Sequence, residues 1–158
     1  MVGYLSLLKK VLNMPDSSPN DRGCVYGVLI EDGRALIIRR SFEEHHYRGR
    51  WELPGGKLEE GEDYVTALLR EFGEEVGLGV RTVRPLRSYT FPLDGRTVRK
   101  EVYLVERESG IVAPRDHIAH AWAVPEDFSR YDFVPNTRDD IRAGLSAGLL
   151  VPSAALAV

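Results

Sequence analysis

Three glutamates lie close together near the end of a helical segment. Glu71, Glu74 and Glu75 fall within about 100° of one another on a helical wheel, which predicts that they share one exposed side of the helix. Their like charges repel, and the helix dipole disfavours anions in a last turn by roughly 0.3–1 kcal/mol. Carboxylates and backbone carbonyls are the ligands that a hard divalent cation prefers. The spacing therefore predicts a cation site, and the alternative for such a motif in isolation is an acidic helix face in solvent.

A longer pattern surrounds the three glutamates. From Gly56 the sequence GKLEEGEDYVTALLREFGEEVGL matches G-x5-E-x7-R-E-U-x-E-E-x-G-U at every position, where U is apolar. This pattern resembles the Nudix box, and an accidental match in this chain has a frequency on the order of one in ten million. The resemblance implies a loop-helix-loop catalytic box on an αβα sandwich. It also implies hydrolysis of nucleoside diphosphates linked to another group X.

The resemblance implies a role for each residue of the box. The implied metal ligands are one backbone carbonyl and three carboxylates: Gly55, Glu71, Glu74 and Glu75. Arg70 would orient a glutamate through a charge-assisted hydrogen bond. The residues with a structural part in the box are Gly56, Glu62 and Gly77. The implied ion is Mg²⁺, with Mn²⁺ as a substitute. The general base stays open between the three glutamates, which are favoured, and the histidines His117 and His120.

The resemblance extends beyond the box, over about Val25 to Leu145. The segments IIRRSFEEHHYRGRWELPGGKLEEGE, SYTFP and DFVPN are similar to MutT-type nucleoside triphosphate pyrophosphohydrolases. Four residues match positions that line the base pocket there: Arg40, Leu53, Phe91 and Asn136. Alternative roles are an ion pair for Arg40, sheet core for Phe91 and a helix cap for Asn136. Asp116, six residues before Trp122, matches a further acidic metal ligand, with Asp where Glu is usual.

The leading functional hypothesis is a Mg²⁺-dependent hydrolase that converts a nucleoside triphosphate to the monophosphate and pyrophosphate by water attack at phosphorus. The second is hydrolysis of ADP-ribose or a dinucleoside polyphosphate. Subfamilies of that kind carry Pro or Tyr some sixteen to seventeen residues after the box, where this chain has Asp94 and Gly95. A third hypothesis, from a different class, is a non-catalytic module that senses a nucleotide.

The elements that position these residues follow from local patterns. Asp32-Gly33 between two apolar runs predicts a β-hairpin, and Trp51 to Leu53 predicts a short strand that ends in a Pro-Gly-Gly loop. The central helix is predicted from Asp63, as N-cap, to Val76. Its predicted buried face consists of Val65, Leu68, Leu69, Phe72 and Val76. Later strands are predicted over Arg81 to Phe91, Thr97 to Glu106 and His120 to Val124, and a last helix over Thr137 to Leu149.

These elements predict an α+β fold with a mixed sheet. The 158 residues divide into an N-terminal arm and linker (1–22), one Nudix-like domain (23–150) and a tail (151–158). A net charge of −3 argues against a polynucleotide partner, so the expected partner is a small nucleotide. The single cysteine, Cys24, excludes a disulfide framework. We expect a cytoplasmic chain without a membrane span, whose arm could serve a homodimer.

Overall fold

The computed structural model describes residues 23–115 and 119–149. Seven strands, two α-helices and one 3-10 helix form this part of the chain. In chain order these are β1 (Cys24–Glu31), β2 (Arg34–Arg39), β3 (Trp51–Glu52), β4 (Gly55–Lys57), α1 (Tyr64–Val76), β5 (Gly79–Leu93), β6 (Arg96–Ser109), β7 (Ala119–Ala123), a 3-10 helix (Pro125–Arg130) and α2 (Thr137–Gly148). The predicted arm, at 1–22, and the predicted tail, at 151–158, lie outside the described residues.

The first hairpin has the predicted turn. Asp32 and Gly33 both adopt positive φ, 50° and 73°, as a two-residue hairpin turn requires. Glu31 pairs with Arg34 across the turn. The Pro-Gly-Gly prediction was wrong in one respect, because Gly55–Lys57 is a short strand that pairs antiparallel with β1. Glycines carry no side-chain pattern, so this pairing leaves no periodic signal in the sequence.

The strands form a mixed sheet, as predicted. Its main order is β3-β2-β1-β6-β5, with β4 also paired to β1 and β7 to β2. β1 and β6 run parallel over six pairs, from Cys24 with Lys100 to Leu29 with Val105. The remaining pairs of named strands are antiparallel. β1 therefore lies between β4, which leads into the glutamate helix, and β6.

Strict alternation along β1 and β2 produces two cores. Residues on one face pack under α1, and their neighbours on the other face pack under α2. The first core includes Val25, Leu29, Leu36, Ile38, Leu68, Phe72 and Val76. The second includes Val28, Ala35, Ile37, Leu53, Val102, Phe133 and Ile141. A sheet with a helix on each face is the αβα sandwich that the resemblance implied.

Both helices occur close to their predicted bounds. α1 begins after Asp63, whose Oδ1 accepts from the Thr66 N–H at 2.7 Å, and ends at Gly77 with φ 72°. The predicted buried face of α1 was wrong at Leu69, which is exposed, while Ala67 is buried in its place. In the described part of the chain, neither helix is long and apolar enough to cross a membrane.

Candidate active site

A cavity of about 540 Å³ lies beside the end of α1. The Gly-Gly strand, the last turns of α1, the β5–β6 hairpin and the start of α2 all contribute to its wall. The predicted site residues that line it are Arg40, Gly55, Gly56, Glu71, Glu75, Phe91 and Asn136. Residues about 100 positions apart in the chain therefore meet in one pocket of a size typical for small-molecule sites.

Glu75 is anchored at the glycine strand. The Gly55 N–H donates to Glu75 Oε2 at 3.0 Å. Burial, with a smaller contribution from the charges of Glu71 and Glu52, raises the pKa of Glu75 to about 9 against the opposing effect of the Gly55 hydrogen bond. A carboxylate that burial and neighbouring anions disfavour in its charged form is a place where a cation would be stabilising.

Glu71 lies against the backbone of the second glycine. A Cβ at Gly56 would lie 2.5 Å from Glu71 Oε1 and 2.6 Å from its Cδ, so only glycine admits this carboxylate. Burial raises the pKa of Glu71, and the Arg70 hydrogen bond and charge oppose that shift. Gly55 and Gly56 thus bring two carboxylates to the cavity wall.

Glu74 differs from the other two glutamates. Its side chain is 59% exposed, it accepts from Arg70 Nη1 at 3.1 Å, and it is not part of the cavity wall. The prediction that all three glutamates share one exposed side is wrong, because Glu71 and Glu75 are partly buried in the pocket while Glu74 faces solvent.

Arg70 connects the loop to the helix. Its Nε and Nη2 donate to both carboxylate oxygens of Glu62, at 2.7 and 3.0 Å. Nη1 donates to Glu71 Oε1 at 3.0 Å, and Nη2 reaches the Lys57 carbonyl at 3.0 Å. Glu62 also accepts the Glu59 N–H at 2.8 Å, and these hydrogen bonds lower the pKa of Glu62, with that from Arg70 the strongest. This network fixes Glu71 and the preceding loop in one arrangement.

The end of α1 is joined to a distant segment. The Val76 carbonyl accepts from the Ala113 N–H at 2.9 Å, and the Glu75 carbonyl accepts from the Arg115 N–H at 3.0 Å. These bonds satisfy carbonyls that a helix terminus otherwise leaves without partners. Asp116, the predicted additional ligand, follows Arg115 in sequence and lies outside the described residues.

The donor set suits a small hard cation that also binds its substrate. Within the described residues, no group of three or more His, Cys, Asp or Glu side chains could hold a metal ion. Two carboxylates, Glu71 and Glu75, line the cavity beside the Gly55–Gly56 backbone. Mg²⁺ is commonly held by one or two carboxylates and completes its shell with water and substrate phosphates. The residues present therefore fit a divalent cation whose remaining ligands come from water and a bound phosphate.

Arg40 is engaged by acidic partners in the wall. Its Nη1 donates to Glu52 Oε1 at 2.5 Å and its Nη2 to Glu44 Oε2 at 3.2 Å. Nε donates to the carbonyl of His46 at 3.0 Å, so Arg40 also holds the loop after β2. Glu52 is buried, which raises its pKa, and the charge and hydrogen bond of Arg40 counteract that shift. Arg40 therefore combines the predicted pocket position with the alternative ion-pair role.

The other three base-pocket predictions have different outcomes in the structure. Phe91 lines the cavity from β5. Asn136 occupies the N-cap position of α2 with φ 70°, its side chain makes no capping hydrogen bond, and the residue lines the cavity. Leu53 is 1% exposed in the core under α2 and is absent from the cavity wall. Its burial does not support a direct contact with a ligand.

The wall residues that the sequence reasoning missed include Tyr26, Glu52, Tyr89 and Lys100. A signal for Lys100 was present, because it alternates in phase with Val98, Val102 and Leu104. A charged residue in the apolar phase of a strand indicates a buried polar group. Tyr26 and Tyr89 give no comparable signal, since aromatic residues are ordinary in strands.

The chain is similar to known proteins in both sequence and structure. The NUDIX domain family model matches residues 21–143. The "Putative 8-oxo-dGTP diphosphatase 2" of Mycobacterium tuberculosis is 34% identical over 116 residues, 72% of this chain and 81% of the relative. The "CTP pyrophosphohydrolase" of Escherichia coli is 29% identical over 111 residues, 70% of this chain and 82% of the relative. The structure of a MutT NUDIX hydrolase from Burkholderia pseudomallei superposes with a TM-score of 0.67 at 28% identity and covers 77% of this chain and 96% of its own.

The chain therefore belongs to the Nudix family, within its MutT-like hydrolases. It is an enzyme that hydrolyses phosphoanhydride bonds. The predicted family and fold class are confirmed, and the box residues lie on the loop and helix that the fold places beside the cavity.

Proposed function

We propose that this enzyme hydrolyses a nucleoside triphosphate to the monophosphate and pyrophosphate, with Mg²⁺ as its ion and Mn²⁺ as a substitute. One observation carries the proposal: a single cavity joins the Glu71–Glu75 pair to a pocket lined by Phe91 and Asn136. A phosphate chain with its cation fits the first part, and a planar base fits the second. Two relatives, a CTP pyrophosphohydrolase and a putative 8-oxo-dGTP diphosphatase, have names that support a nucleotide substrate.

The two cavity carboxylates would hold the ion together with the carbonyl of Gly55. A bound divalent ion neutralises the phosphate chain and activates water at neutral pH. The Gly55 N–H keeps Glu75 in place, and Arg70, itself held by Glu62, keeps Glu71 in place. Glu71 and Glu75 are also the candidates to accept the proton of the attacking water, since both face the cavity.

Glu74 and Asp116 are proposed as further ligands. Glu74 is in the last two turns of α1 but exposed, so a rotation of its side chain would be needed to join the ion. Asp116 follows Arg115, which is bonded to the carbonyl of Glu75. This neighbourhood supports Asp116 as a ligand from a second segment, and Asp116→Asn is expected to raise the Mg²⁺ concentration needed for half-maximal activity.

The base end would hold the nucleobase between apolar and amide groups. Phe91 presents an aromatic ring, and the Asn136 amide can donate and accept hydrogen bonds at one base edge. Arg40, tied to Glu52 and Glu44, is proposed to shape this end of the wall. Leu53 would support the wall from the core.

Incubation with a nucleotide panel in the presence of Mg²⁺ tests the proposal. The panel contains the ribo- and deoxyribonucleoside triphosphates, ADP-ribose and a dinucleoside polyphosphate, and products are separated by chromatography. We expect pyrophosphate and monophosphate from at least one triphosphate and no activity after chelation of the metal. Turnover of ADP-ribose or the dinucleoside polyphosphate alone would replace the proposal with the second hypothesis. Binding without any product would favour a nucleotide-sensing module.

A further inference from the structure

Lys100 is a buried cation in the wall of the cavity. It comes from β6, is 6% exposed and lines the pocket together with Tyr26 and Tyr89. Its Nζ lies 4.4 Å from the centroid of the Tyr26 ring and 5.5 Å from that of Tyr89. Lysine is rarely buried unless it is paired, so this position requires specific partners.

Asp140 holds the Lys100 ammonium from α2. Lys100 Nζ donates to Asp140 Oδ2 at 3.0 Å, and Asp140 is completely buried. The same carboxylate accepts from the Tyr89 hydroxyl at 2.9 Å and from Arg87 Nη1 at 2.6 Å. Lys100, Arg87 and Tyr89 therefore all donate to the one carboxylate of Asp140.

The ammonium has hydrogen-bonding capacity beyond this pair. A lysine ammonium carries three N–H donors, and among the described residues Asp140 is the one side chain that accepts a hydrogen bond from Lys100. The tyrosine rings interact with the charge but do not act as full hydrogen-bond acceptors. A nearly buried donor that lines a cavity calls for an acceptor on whatever fills that cavity.

We propose that Lys100 binds a ring carbonyl oxygen of the nucleobase. The pocket then selects bases that carry an oxo group, such as guanine, cytosine and uracil, over adenine. This inference rests on the proposed function, because it deepens the assignment of a nucleotide to the cavity. A carbonyl oxygen accepts a hydrogen bond from the ammonium, whereas adenine presents an amino donor at the position of the guanine carbonyl. The Lys100 ammonium and the adenine amino group are both donors, so neither would have an acceptor.

The surroundings of Lys100 favour a base over a phosphate. Tyr26, Tyr89 and Phe91 supply aromatic surface in the same cavity, and a planar heterocycle is the part of a nucleotide that such rings bind. Asp140 already compensates one positive charge there. The phosphate chain has its own place beside Gly55, Gly56 and the two glutamates.

Calorimetric titration without metal tests the inference apart from hydrolysis. The probes are inosine monophosphate and purine riboside monophosphate, which differ in the carbonyl at position 6 and in the N1 proton that accompanies it. We expect the inosine nucleotide to bind roughly 10- to 100-fold more tightly, as for a hydrogen bond to a charged group. In Lys100→Met this ratio should fall to about one. Equal binding of both probes by the wild type, or no measurable binding of either at millimolar concentration, would overturn the inference.

Lys57→Met is the matched control, because Lys57 is an exposed lysine in the wall of the same cavity. It should keep the preference for the carbonyl, even if both nucleotides bind more weakly. An equal loss of preference in both variants would mean that Lys100 acts only through pocket charge and would overturn the inference. A wild type that shows the preference but hydrolyses no triphosphate would remove the proposed function and leave this specificity intact.

A further set of variants distinguishes a purely structural role of the Lys100–Asp140 pair from a role of Lys100 in binding the base. Lys100→Met leaves Asp140 with Arg87 and Tyr89 as donors, and thermal unfolding reports whether it folds. If it does not, Lys100→Met combined with Asp140→Asn removes both charges and keeps an acceptor for the remaining donors. A folded variant that retains the wild-type preference for inosine monophosphate would show that the pair only joins β6 to α2, which contradicts the inference.

Discussion

The two ends of the cavity handle buried charge in opposite ways. At one end Glu71 and Glu75 are near each other, and burial raises the pKa of both. At the other end Lys100 and Asp140 are paired within the protein, with Arg87 and Tyr89 around them. Carboxylates whose charged form burial disfavours indicate where a cation would be stabilising, whereas an ion pair within the protein ties two elements together. The predictions below test this contrast.

Glu75→Gln should give the largest change. We expect turnover to fall by several orders of magnitude, because a metal ligand that supports several kcal/mol of transition-state stabilisation is lost. The free energy of unfolding without metal should stay the same or increase, since burial disfavours the ionised carboxylate and the neutral amide avoids that penalty. Steady-state kinetics and urea unfolding measure the two effects.

The control for this variant is Glu108→Gln, which removes the same charge from an exposed position at the end of β6. It should keep wild-type turnover and stability. Turnover close to that of the wild type in Glu75→Gln would refute the assignment of this end of the cavity to the metal.

Asp140→Ala should mainly reduce stability, whereas Glu75→Gln mainly reduces turnover. Loss of the anion leaves the buried Lys100 without its partner, which typically costs about 3–5 kcal/mol. Urea unfolding should therefore report a much larger loss than in Glu75→Gln. Asp140→Asn retains an acceptor and should lose less. If Asp140→Ala were as stable as the wild type, the two ends would not differ as we describe.

Gly56→Ala tests the close approach between the glycine strand and α1. The added Cβ would lie 2.5 Å from Glu71 Oε1, so the carboxylate must move. A displacement of this kind can reduce turnover roughly 100-fold. Gly73→Ala is the matched control, because nothing lies within 4 Å of its added Cβ and helix propensity should raise stability by about 1 kcal/mol. Equal turnover in the two variants would contradict this account.

Arg70→Lys should have the smallest effect of the series. Lysine cannot donate to both oxygens of Glu62 in the same way, so Glu71 is held less firmly. We expect turnover to fall roughly 10- to 100-fold, as is typical when a residue that orients a metal ligand is replaced. The Mg²⁺ concentration needed for half-maximal activity should rise. Activity measured over a range of Mg²⁺ concentrations detects this change. Arg84→Lys, at an exposed position of β5, is the control. An unchanged Mg²⁺ requirement would show that Arg70 does not position Glu71.

Local signals predicted the elements of the fold well. The Asp32-Gly33 turn, the Asp63 cap and the Gly77 stop each act within a few residues, so the sequence is sufficient to locate them. The parallel pairing of β1 with β6 depends on residues more than 70 positions apart. Such pairing is determined by the packing of the whole domain, and no local pattern reports it.

The candidate site was predictable only in part, because local patterns report neighbours on one element and not contacts between distant segments. The box glutamates share one helix, so their spacing alone predicts a common side, but the burial that separates Glu74 from Glu71 and Glu75 depends on β4. Lys100 and Asp140 meet only because β6 and α2 pack together. Side chains from distant segments become neighbours through tertiary structure, which the sequence reasoning did not reach.

The two hydrogen bonds that join the end of α1 to residues 113–115 can report whether a cation is bound at the site. The amides of Ala113 and Arg115 exchange their protons with solvent only when these bonds open. A cation held by Glu75 would restrain the last turn and slow that opening. Hydrogen exchange at two backbone positions could therefore follow occupation of the site in the unmodified enzyme, without a label or a substrate.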